Sequence, residues 1–114
     1  MEESAQYARY RRDGAVLAEI GRRLEPQVSR LPVRIPGDLA AAAVAAWERD
    51  EPGDLGDLRG ETHEQRGVRD QAGALALIGL AITERGTAVD GDAVLVELDV
   101  TEIAAALTAA LEAR

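Results

Sequence analysis

The chain's single histidine, His63, stands in the run ETHEQRGVRD, with Glu61, Glu64, Arg66, Arg69 and Asp70 around it. An imidazole among carboxylates can relay protons or hold a metal. Zinc chemistry of the HExxH kind needs a second histidine four residues on, and Gly67 occupies that position. The same polar run is what the first turn of a helix favours, so a solvated helix start is the plainer reading of His63. Asp50, Asp54 and Asp57 suggest calcium, but Pro52 falls in a ligand slot and the oxygen spacing of an EF-hand is missing, which leaves an acidic loop. Gly53, Gly56 and Gly60 are not followed by a Gly-Lys-Ser/Thr run, so they do not make a phosphate cradle. With no cysteine, disulfides, thiolate zinc sites and cysteine nucleophiles are excluded. No catalytic, cofactor-binding or metal-binding set is therefore expected, and an enzyme built on His63 and its neighbouring acids ranks last among the functions considered.

The run YARYRR, residues 7–12, is the best functional lead. Interleaved tyrosine and arginine can stack on bases and touch phosphates, or can anchor a protein interface. The competing reading is an amphipathic helix with its tyrosines turned inward and its arginines in water. Trp47, the one tryptophan, reads first as a plug in the core and second as a ligand platform. Arg30 and Arg34 flank Pro32 on the outer side of a short alternating stretch. The candidate partner-binding residues are thus Tyr7, Arg9, Tyr10, Arg11, Arg12, Arg30 and Arg34.

These residues need elements to position them. At 114 residues, 46% hydrophobic and 30% charged, the chain has the size and composition of one domain spanning 1–114 with its own core. All 13 basic residues are arginine, which together with abundant alanine and glycine suggests GC-rich coding. The net charge of −8 opposes indiscriminate binding to nucleic acid. It is unevenly spread: up to Pro36, seven arginines against five acids leave +2, so the remainder carries −10. The start, MEESAQYARYRRD, lacks an apolar leader segment, and AGALALIGLAI at 72–82 is too short to span a bilayer, so a cytoplasmic protein is expected.

Periodicity predicts four helices, at about 4–24, 38–51, 64–85 and 101–113. Asp13-Gly14 is a candidate break in the first, and Pro26 ends it. Thr62 and Gln65 form a capping-box pattern for the third, which Gly86 ends. Asp99 or Thr101 caps the fourth. Strands near 31–35 and 94–98 are expected to pair antiparallel, with Pro32 and Pro36 placing the first at an edge and Asp90-Gly91 marking a hairpin turn. The fold class is α+β, with helix 64–85 at its centre and two alanine-rich helices packed closely on it. Residues 31–49 laid over 95–113 match alanine to alanine in the helices but misalign in the strands, so an internal duplication remains open.

The stretch Arg30, Pro32 and Arg34, followed by PGDL and a helix, resembles the strand and first helix of ribbon-helix-helix repressors over residues 30–47. That resemblance implies a dimer that binds DNA through a strand ribbon. The favoured expectation is a small non-enzymatic protein that binds another protein and forms a homodimer through its open strand edge. DNA binding stands second.

Overall fold

The computed structural model describes residues 5–27, 32–49, 61–89 and 92–113. Helix α1, Ala5–Leu24, runs unbroken through Asp13-Gly14, and both of those residues are buried. Pro26 disfavours helical geometry in the residue before it, and α1 passes there into a single 3₁₀ turn, Glu25–Gln27. Strand β1, Val33–Ile35, leads into helix α2, Gly37–Arg49. Helix α3, His63–Arg85, starts at the expected capping box: the Gln65 backbone N–H donates to Thr62 Oγ1 at 3.1 Å, and the Thr62 N–H donates to Gln65 Oε1 at 3.0 Å. Helix α4, Val100–Glu112, has the same device at Asp99 and Glu102.

The sheet has one strand more than the expected pair. Strand β2, Thr87–Val89, joins β3, Ala93–Val96, and the order is β1-β3-β2 with antiparallel neighbours throughout. The expected pairing of the stretches near 31–35 and 94–98 is present, with Val33 opposite Val96 and Ile35 opposite Val94. Residues 90 and 91 lie outside the described residues, but Asp92 follows them at φ 61°, as a tight reversal requires. Gly37 fits beneath this turn, since a Cβ there would lie 1.8 Å from the Asp92 carbonyl oxygen.

The proline-flanked β1 lies at an edge, as expected, but that edge is not open at its centre. The Gln27 carboxamide lies alongside it as a neighbouring strand would. Its Nε2 donates to the Arg34 carbonyl at 3.0 Å, and its Oε1 accepts from the Arg34 N–H at 2.8 Å. Within the chain, β1 thus pairs with β3 on one side and meets Gln27 at Arg34 on the other.

The two alanine helices find different partners. Helix α2 packs along α3, but α4 packs along α1 and touches α3 much less, so α1 and α3 share the centre. Helix α3 is also not apolar all round. Gly73 is exposed, and Leu77 is 50% exposed. Trp47 is half-buried against the core as a plug.

Beneath this lies an approximate two-fold relation between the halves α1-β1-α2 and α3-β3-α4, centred where Arg34 faces Leu95. Residues 17–24, LAEIGRRL, correspond to 75–82, LALIGLAI. Leu17, Ala18, Ile20, Gly21 and Leu24 are buried, as are Leu75, Ala76, Ile78, Gly79 and Ile82. Each glycine receives the alanine helix of the other half: a Cβ on Gly21 would lie 2.0 Å from the Ala106 carbonyl oxygen, and one on Gly79 would lie 2.0 Å from that of Ala43. Polar ties repeat too. Arg49 Nη2 donates to Asp13 Oδ1 at 2.9 Å, while Gln71 Nε2 donates to Glu112 Oε2 at 3.0 Å. The long helices correspond 58 positions apart (Gly79 against Gly21), the strands 61 apart (Leu95 against Arg34) and the alanine helices 63 apart (Ala106 against Ala43), so laying 31–49 over 95–113 is one residue out of register in the helices and three in the strands.

Candidate functional site

The structure divides the seven candidate residues. Tyr7 to Arg12 occupy the first turns of α1, whereas Arg34 is tied to Gln27 beyond that helix's far end. At about 1.5 Å per residue, Arg12 and Leu24 are already about 18 Å apart. Arg30 lies outside the described residues, as do the loop acids and glycines of 50–60. The strand face and the YARYRR segment therefore do not form one surface.

Within YARYRR the tyrosines contact neighbouring side chains. Their rings meet edge to face with centroids 6.0 Å apart. Tyr7 OH donates to Glu61 Oε2 at 2.5 Å, and Arg69 grips the same carboxylate with two bonds, Nε to Oε2 at 2.8 Å and Nη2 to Oε1 at 3.0 Å. The Glu61 side chain is only 7% exposed. The hydrogen bond to ionised Glu61, aided by burial, pushes the Tyr7 hydroxyl up to about 12. The Arg69 fork first, and the phenol second, hold Glu61 below the usual carboxylate range, and Glu61 in turn raises Arg69. This triad clasps the start of α1 to the approach to α3. Arg11 adds a pair with Glu64 at 3.2 Å, Arg12 is exposed, and Arg9 buries its Nε without a hydrogen-bond partner among the described residues. His63 is exposed at the first position of α3.

A groove of about 630 Å³ opens where α4 leaves α3 and stays with α1. Its floor is apolar, built from Leu17, Val68, Ala74 and Ala109. Its α4 wall carries Ala104, Ala105 and Thr108, whose short side chains leave the backbone close to any occupant. Gly67 forms part of the α3 wall, and a Cβ there would meet no atom within 4 Å. The rim is acidic, with Glu64, Asp70 and Glu112 against Arg11. Glu64 is paired with Arg11 and Glu112 accepts from Gln71, whereas Asp70 makes no hydrogen bond or salt bridge among the described residues. Its volume lies within the range of pockets that take ligands. Of the candidate residues only Arg11 lines it. Sequence reading missed the rest because they converge from three helices far apart in the chain. The glycine at 67, in the second turn of α3, was the local signal on offer.

The two-fold relation shows what is particular about this groove. The residues equivalent to Gly67, Val68 and Ala74 in the other half are Arg9, Tyr10 and Val16, all larger. Those equivalent to Asp70 and Glu112 are Arg12 and Arg49, opposite in charge. By the size of its side chains one trough of the pair is the more filled, and it is basic at its edge, whereas the other carries smaller side chains and an acidic edge. Among the described residues no group of histidine, aspartate and glutamate is placed to hold a metal ion, and no helix is long and apolar enough to cross a membrane. No protein-family model matches the chain, and no curated protein or solved structure resembles it closely enough to count as a match.

Proposed function

We propose that this protein works as a binding module, without catalysis, and that it receives a segment of a partner protein in the groove between α1, α3 and α4. The observation that carries this reading is Gly67. A glycine within a helix costs about 1 kcal/mol relative to alanine, and nothing packs against this one; Gly73 shares that property, but of the two only Gly67 lines the groove, where a side chain would take up its space. What its lack of a side chain achieves is an open groove. A photo-crosslinking residue at Thr108, on the groove wall, is expected to trap a discrete partner in lysate of the source organism. The same probe at Leu77, exposed but outside the groove, is expected to trap none. Equal products from both positions, or none from Thr108, would refute the reading.

A further inference from the structure

We infer that the occupant of this groove is an amphipathic helix whose apolar face bears small side chains and whose flank bears arginine or lysine. This inference rests on the reading of the groove as a docking site. Each alanine helix of the chain already seats its backbone against a helix that offers glycine, at Gly21 and at Gly79. The groove repeats that chemistry unfilled: Gly67 and Ala74 on α3, Ala104 and Ala105 on α4, and a run of helical walls on both sides. A further helix is the shape that such walls accept.

Charge selects the flank. Asp70 stands at the rim without an ion-pair partner among the described residues, with Glu64 and Glu112 beside it. In the filled trough the equivalent positions carry Arg12 and Arg49, which would repel the same helix. The two troughs thus differ both in the size of the side chains at equivalent positions and in the sign of charge at the rim.

The probe is a synthetic amphipathic helix with alanine and leucine on one face and arginine on its flanks, compared with an analogue carrying glutamate at the arginine positions. Amide shifts of the full chain are followed as each is added. The arginine peptide is expected to move Gly67, Val68, Ala105 and Thr108, with binding that weakens as salt rises. Asp70→Arg with Glu112→Arg is expected to weaken it about tenfold or more. Glu84→Arg with Glu97→Arg, the same change in net charge at exposed sites outside the groove, should leave it intact. Gly67→Arg with Val68→Tyr transplants the filled trough's side chains and is expected to abolish binding while the thermal transition remains cooperative. Equal binding of both peptides would overturn the basic-helix inference yet leave the groove as a docking site. No groove shifts with either peptide would also overturn it, and the Thr108 crosslink then judges the docking reading separately. Groove shifts that grow with protein concentration alone would assign the site to a second copy and overturn the inference as well.

Discussion

Gly21 and Ala106 meet backbone to backbone, with no room between them for a methyl group: a Cβ on Gly21 would fall 2.0 Å from the Ala106 carbonyl oxygen and 2.9 Å from the Ala110 Cβ. The Gly79–Ala43 contact is its equivalent in the other half. Because the obstruction is backbone, relief requires α4 or α2 to move as a body. Gly21→Ala and Gly79→Ala should therefore each destabilise the protein by about 3 kcal/mol or more, at the upper end of what overpacking costs. Gly73→Ala, where nothing lies within 4 Å, should instead stabilise it by about 0.5–1 kcal/mol. Urea denaturation of the three variants measures the contrast, and equal effects at 21 and 73 would mean that α4 does not sit on α1.

This pairing also shows what could be read from the sequence. Periodicity, caps and proline positions gave four helices and the β1–β3 pair, because those signals are local. The partner of each alanine helix was not legible, since alanine matches alanine at any register and carries no address of its own. The address lies in the long helices, where Leu-Ala-x-Ile-Gly occurs at 17–21 and again at 75–79 with bulky residues around each glycine. The groove stayed hidden for a related reason: its acids Asp70 and Glu112 look like ordinary solvated helix positions until α1 brings their helices together.

The clasp of Tyr7, Glu61 and Arg69 makes a prediction in pH. A phenol whose hydroxyl lies near 12 when folded and near 10 when unfolded contributes stability that is complete below 10 and lost as pH climbs through 12. Glu61 acts in the opposite direction. Its folded value lies below the ordinary 4.5, so its contribution is complete above 4.5 and lost on acidification. An ultraviolet titration should show one tyrosine ionising well above the usual range in the native chain, and Tyr7→Phe should remove that late transition. The absence of any late transition in the parent chain would contradict the clasp.

Gln27 guards the β1 edge through two hydrogen bonds to Arg34. Replacing it with alanine removes both bonds and leaves an N–H and a carbonyl facing outwards on an edge strand. Gln27→Ala should cost about 1 kcal/mol in thermal or urea denaturation, because water replaces part of what is lost at an exposed site. It should also increase self-association, visible as a mass that rises with concentration in light scattering. A variant that stays as dispersed as the parent would show that Pro32 and Pro36 alone protect the edge.

The polar ties test the two-fold relation directly. Arg49 holds Asp13, a carboxylate that is only 8% exposed, while the equivalent positions in the other half hold Glu112 and Gln71. Arg49→Glu alone sets two carboxylates against each other and should destabilise by about 1–3 kcal/mol. Adding Asp13→Gln recreates the Gln–Glu pair of the other half at a site with the same backbone arrangement. The double variant should therefore be more stable than Arg49→Glu alone, with a coupling of about 1 kcal/mol in a double-mutant cycle. Additive losses would mean that the halves agree in outline but not in the placement of their side chains, and the comparison of filled and open troughs would lose its footing.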